Sequence, residues 1–87
     1  FKDLRGLLFK KLNFEGKVDF EHSNLTDATF DECVFSKSCI FDACEMSNTK
    51  FVKCSGLENV SFIGSKIIPE DSFDNDTLDK LKQLQLI

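Results

Sequence analysis

Large apolar residues return every fifth or sixth position along most of the chain, at Leu4, Phe9, Phe14, Phe20, Leu25, Phe30, Phe35, Phe41, Met46, Phe51, Leu57, Phe62 and Ile67. An amphipathic helix needs spacings of three and four, and a half-buried strand needs two, so a period of five fits neither. Eight of the ten phenylalanines fall on this lattice. A second column runs two residues ahead of the first: Val18, Ser23, Ala28, Cys33, Cys39, Cys44, Thr49, Ser55, Val60 and Ser65, all small or β-branched. The positions between are mostly polar, among them Asp19, Glu21, His22, Asn24, Thr26, Asp27, Asp31, Glu32, Lys37 and Asp42. Large inside, small inside and polar outside, with a period of five, predicts a chain that turns a corner every five residues.

The pattern resembles the pentapeptide repeat family, whose unit is a small residue, Asp or Asn, Leu or Phe, and two variable positions. Lys2-Asp3-Leu4-Arg5-Gly6, Ser23-Asn24-Leu25-Thr26-Asp27 and Ala28-Thr29-Phe30-Asp31-Glu32 carry it most clearly, and thirteen units run over residues 2–68. The resemblance implies an all-β chain: a right-handed, four-sided parallel β-solenoid of about three coils, four units to the coil, with a short C-terminal capping helix. At ~4.8 Å per coil such a stack is about 15 Å tall.

Assigning units to faces in order gives four columns: Phe20, Phe41 and Phe62; Leu4, Leu25, Met46 and Ile67; Phe9, Phe30 and Phe51; and Phe14, Phe35 and Leu57. Two six-residue steps, Phe14 to Phe20 and Phe35 to Phe41, fall at one corner in successive coils. The third is open, because Cys54 can serve as the small residue of a unit centred on Gly56. Lys2, Leu7 and Leu12 are too large for the small column, which makes the first coil atypical or the cut end of a longer solenoid. The chain begins at Phe1 without a Met and reads as a processed or excised piece.

The repeat region spans 1–68, and 69–87 forms a loop and helix. Pro69 has no N–H to give a ladder, and Asp74, Asn75 or Asp76 can cap a helix over about 77–86. Leu78, Leu81 and Leu84 or Leu86 then face one side, with Lys80, Lys82 and Gln83 outward. Such a helix serves as a lid on the last coil, as a homodimer contact of the kind the resemblance implies, or as the start of a further domain. The first coil has no equivalent cover, which points to an upstream continuation or a partner there.

Candidate chemistry is sparse. Cys33, Cys39, Cys44 and Cys54 lack the paired spacing of a zinc site, and the repeat places the first three inside as small apolar filler. Cys54, beside the irregular corner, is the thiol expected to be reactive. His22 is the only histidine and faces out, with no nucleophile set beside it. Neither an enzyme activity nor a metal or cofactor is expected.

Net charge is −4, distributed as +3 over residues 1–17, −5 over 18–65 and −2 over 66–87. That balance argues against direct binding of nucleic acid, which needs a basic stripe, and no apolar run is long enough to span a membrane. Glu21 and Asp42 are expected one coil apart on one face with Asp19 nearby, and Asp27, Asp31 and Glu32 around the adjoining corners. These acids form either a solvated face or a docking face for a basic partner. Asn24-Leu25-Thr26, Asn59-Val60-Ser61 and Asn75-Asp76-Thr77 match the N-glycosylation pattern, although a thiol-rich interior favours a cytoplasmic protein.

The expected role is a non-catalytic protein-interaction or scaffolding module within a larger protein, including secreted bacterial effectors among the possibilities the resemblance implies. The alternatives it implies are an acidic DNA mimic acting on a type II topoisomerase, and a luminal receptor-type domain bound by strand pairing.

Overall fold

The structure, a computed structural model, describes residues 2–36 and 38–86, so the outward position expected of Lys37 and the start at Phe1 lie outside the described residues. Eight short strands form three parallel sheets. Strands β1 (Leu8–Lys10), β4 (Thr29–Asp31) and β7 (Lys50–Val52) make one; β2 (Asn13–Phe14) and β5 (Val34–Phe35) the second; β3 (Val18–Asp19), β6 (Cys39–Ile40) and β8 (Val60–Ser61) the third. Isolated parallel bridges link Asp3, Asn24, Glu45 and Lys66 in a fourth line. Every ladder has the same offset: Phe9 pairs with Phe30 and Phe30 with Phe51, Phe14 with Phe35, Val18 with Cys39 and Cys39 with Val60, 21 residues each time. Residues 2–22, 23–43 and 44–64 are therefore successive layers.

The turns between strands explain how so short a unit changes direction. Gly6, Asp27 and Asn48 share one turn, Lys11, Glu32 and Lys53 a second, and His22, Ala43 and Gly64 a third; all nine have φ between 52° and 71°. Glycine adopts that left-handed region freely, and Asn and Asp tolerate it. Lys11, Glu32, Ala43 and Lys53 hold it against their intrinsic preference, so the ladders on either side must enforce it.

Inside, the phenylalanines stack by column. Ring centroids lie 4.6 Å apart for Phe9–Phe30, 5.0 Å for Phe30–Phe51, 5.1 Å for Phe14–Phe35, 4.9 Å for Phe20–Phe41 and 5.6 Å for Phe41–Phe62, all near parallel. Rings of different columns meet edge to face, as Phe30 and Phe41 do at 5.5 Å and 81°. Both geometries suit the ring quadrupole. Rings enclosed as Phe30, Phe35 and Phe41 are leave a phenol or indole no partner, which suits phenylalanine as the one aromatic of this core.

The open six-residue step is resolved at Gly56. Phe35 N–H donates to Ser55 O, and Ser55 N–H to Cys33 O, which puts Gly56 rather than Leu57 in register with Phe14 and Phe35. The extra residue thus falls at the same turn in all three layers. Gly56 lies so close to the layer above that an added Cβ would sit 2.1 Å from the Phe35 carbonyl oxygen. A 3-10 turn, Leu57–Asn59, follows and swings the Leu57 side chain into the core that a phenylalanine would otherwise fill.

The C-terminal segment carries two helices, not one. Pro69 occupies the first turn of α1 (Pro69–Ser72), and α2 runs over Asn75–Gln83 rather than 77–86. Asp74 Oδ1 accepts from Thr77 N–H at 2.8 Å and caps α2. Leu78 and Leu81 are 8% and 1% exposed and belong to the same core as the layers. Leu84, expected on that face, follows the last helical residue and is 50% exposed. Phe73, off the five-residue lattice, bridges Phe51 and stacks on it at 5.2 Å, extending the Phe9–Phe30–Phe51 column into the cap.

Candidate functional site

Cys33, Cys44 and Cys54 are hydrogen-bond donors rather than mere filler. Cys33 Sγ lies 3.2 Å from Phe9 O, Cys44 Sγ 3.0 Å from Phe20 O and Cys54 Sγ 3.1 Å from Phe30 O. Thr49 Oγ1 donates to Leu25 O at 2.8 Å and Asn59 Nδ2 to Phe35 O at 2.9 Å. Each donor stands 24 residues after its acceptor, reaching the carbonyl of a core residue in the layer above. Where the small positions carry a thiol or hydroxyl, as at Cys33, Cys44, Thr49 and Cys54, a short donor thus satisfies a carbonyl of the neighbouring layer. Burial pushes the Cys39 thiol up to about 12 and the Cys54 thiol up to about 11. Cys54, expected to be reactive, therefore keeps its proton, and the thiolate that nucleophilic chemistry needs is disfavoured.

The six acids do not form one face. Asp19, Glu21 and Asp42 gather at the turn that holds His22 and Ala43, but two of the three are employed locally. Asp19 Oδ1 accepts from Glu21 N–H at 2.8 Å, and Asp42 Oδ1 from Ser61 Oγ and from Ile63 N–H at 3.0 Å. Glu21 Oε1 lies 3.3 Å from His22 Nε2. Asp27 accepts from Asn48 Nδ2 at 2.9 Å on the next turn. Asp31 stands in register with Lys10 and Val52, and Glu32 shares its turn with Lys11 and Lys53. Lysine above and below a carboxylate relieves like-charge repulsion and breaks the acidic column.

At the C-terminal end, Leu78, Leu81 and Phe73 lie over Phe51 and Leu57. Glu58, held below the usual carboxylate value first by its own backbone N–H and then by Lys80, pairs with Lys80 across the rim at 3.3 Å. An open cleft of about 300 Å³ runs there between the 3-10 turn and α2.

The N-terminal end differs. β1, β2 and β3 are each last in their sheets, so one edge of each is unpaired among the described residues. Leu4, Phe9, Phe14, Val18 and Phe20 beneath that edge are only partly buried, whereas Leu25, Phe30, Phe35 and Phe41 one layer down are fully buried. Leu7 and Leu12, at 46% and 43% exposure, flank this apolar floor. With Lys2, their excess size was the sign in the sequence that this layer is unlike the others; Gly56 was marked by the ambiguous corner at Cys54, whereas Asn59 and Phe73 gave no sign that the period could reveal.

Residues 17–55 match the family model for pentapeptide repeats, in eight copies. Residues 17–55 are a run of pentapeptide repeats. The match falls on the second layer and its flanks, where the small column holds Ala28, Cys33, Cys39, Cys44 and Thr49 and the pattern is most regular. Leu7 and Leu12 lie outside it, as do the 3-10 turn and the cap. No curated protein gives a significant match, and no solved structure does. Among the described residues no three His, Cys, Asp or Glu side chains converge as a metal site would require, and no helix is long and apolar enough to cross a membrane.

Proposed function

We propose that this chain is a non-catalytic protein-interaction module within a larger protein, whose layers wind as a closed, right-handed, four-sided solenoid of about three coils, and that its first layer is an association surface for a further polypeptide segment, of the same protein or of another. The observation that carries this reading is the contrast between the two ends. One has Phe51 and Leu57 buried beneath helices, with Phe62 and Ile67 partly buried, while the other leaves all five of its core side chains only partly buried under three strand edges unpaired among the described residues. Unpaired edges above an apolar floor are association surfaces unless something covers them.

The remaining readings have less behind them. A DNA mimic needs an unbroken run of carboxylates, and the turn column Lys11, Glu32, Lys53 alternates in sign. A homodimer through α2 would have to use Leu84 and Leu86, since Leu78 and Leu81 are occupied within the chain. Of the three glycosylation patterns, Asn59 has its Nδ2 committed to Phe35 O.

The test is site-specific photocrosslinking in the native host, with p-benzoylphenylalanine placed at Leu12 or, as a lateral control, at Ser47. A discrete protein adduct from position 12 and none from position 47 is expected. Equal labelling from both positions, or none from position 12, would overturn the reading.

A further inference from the structure

The four thiols differ in what stands above and below them. Cys39 has Val18 and Val60 in its column, and Cys44 has Ser23 and Ser65. Cys33 and Cys54 instead follow one another in a single column, one layer apart, in a register fixed by Ser55 N–H donating to Cys33 O at 3.0 Å. We propose that Cys33 and Cys54 form a two-coordinate site for a soft, closed-shell monovalent cation, copper(I), held in line between the two sulfurs of the second and third layers.

The ladder sets the spacing of those sulfurs. Cys33 Sγ lies 3.2 Å from Phe9 O and 3.6 Å from Asp31 O, and Cys54 Sγ 3.1 Å from Phe30 O and 3.5 Å from Val52 O. The matching distances put each sulfur at the same place in its own layer, so one layer rise of about 4.8 Å separates them. Phe30 and Phe51, which span the same two layers, stack at 5.0 Å. A metal–thiolate bond is about 2.3 Å long, and two in line nearly fill the gap. A disulfide needs the sulfurs at ~2.05 Å and the Cβ atoms at about 3.8 Å, closer than successive layers come.

The surroundings select the ion. Zinc takes four ligands, and the described residues bring no third His, Cys, Asp or Glu to the pair. Soft sulfur ligands favour copper(I), which accepts two of them in line. The four carbonyl oxygens around the sulfurs present the negative ends of their dipoles, which disfavour a bare thiolate and favour a cation beside it. Cys33 is fully buried, but Cys54 borders the open cleft of about 300 Å³ between the 3-10 turn and α2, lined also by Glu58 and Asp76. That cleft gives a cation its way in. Binding breaks both S–H bonds, forms two S–Cu bonds and releases two protons to solvent. The metal enters already as copper(I), so no electron is transferred.

The test offers the 87-residue chain copper(I), anaerobically, in competition with bicinchoninate. Expected are one copper per chain kept against the chelator, two protons released per copper, and an X-ray absorption spectrum with two sulfur neighbours. Cys33→Ala and Cys54→Ala should each weaken retention at least tenfold, while Cys39→Val with Cys44→Ala leaves it unchanged. Where a core variant fails to fold, the parent chain decides, by its absorption spectrum and by amide NMR shifts on loading centred on Cys33, Val34, Cys54 and Ser55.

No copper kept against the chelator, a third sulfur or any nitrogen neighbour, or shifts centred elsewhere would overturn the proposal. So would retention unaltered in a folded Cys33→Ala chain, or lost in a folded Cys39→Val, Cys44→Ala chain. A Cys33–Cys54 disulfide in the air-exposed parent, read by peptide mapping, would show the sulfurs closing to bonding distance and remove the spacing on which the site rests.

Discussion

A Cβ on Gly56 would lie 2.1 Å from Phe35 O, in a residue whose φ of +77° already disfavours L side chains. Gly56→Ala should cost more than about 3 kcal/mol, combining backbone strain with displacement of the turn, read as the shift of a urea denaturation midpoint. Gly16, with nothing within 4 Å of its would-be Cβ, is the natural control. The thiols give a second residue-level expectation. Burial raises Cys39 from 9.0 to about 12 and Cys54 to about 11, so between those values and 9.0 the folded chain holds protons that the unfolded chain has released. Stability is complete below pH 9 and should decline as pH rises toward 12. Cys39→Val matches Val18 and Val60 of its own column and should flatten this alkaline decline. Equal slopes in the variant and the parent would rule out Cys39 as a contributor.

At the scale of elements, the cap is joined to the layers by Phe73, Leu78 and Leu81. Phe73→Ala removes the last ring of a four-ring column and should cost about 3 kcal/mol. Leu84→Ala, at an exposed position past the end of α2, should stay within about 0.5 kcal/mol; thermal melts of the two variants check the contrast. How much of this was legible in the sequence follows from what produces each part. The columns of Phe9, Phe20 and Leu4 could be read because identical units repeat identical environments, and strand pairing simply multiplies the spacing. Phe73 could not, since it enters its column from a helical connection whose length obeys no repeat. Leu57 misled for a related reason: its side chain does fill the core, but a glycine one residue earlier holds the register. The acids divide: Glu21 and Asp42 do stand 21 residues apart, whereas Asp31 and Glu32 share their columns with lysines. Charge read along one unit says nothing of the unit 21 residues away, where Lys10 and Lys53 turned out to stand. The open end was half-visible, in the misfit of Leu7 and Leu12 to the small column.

Across the whole molecule the layers are unequal. Core residues of the second layer are fully buried and those of the first only partly so, while in the third the cap helps bury Phe51 and Leu57 but leaves Phe62 and Ile67 partly buried. Native-state hydrogen exchange should therefore grade from one end to the other. Amides of β4, β5 and β6 should exchange slowest, near the global unfolding limit, and those of β1, β2 and β3 fastest. Uniform protection through all three layers would mean that the chain opens only as a single unit. The shared offset of every ladder has one more consequence, for how a chain like this can lengthen. Twenty-one inserted residues would return each column to register and add one layer, about 4.8 Å taller. Four five-residue units without the extra residue at the Gly56 turn would not, because everything downstream would arrive one position early and present its polar side chains to the interior. Duplication in such a gene is quantised: only whole layers can be gained or lost without dissolving the core, whatever the unit written in the sequence suggests.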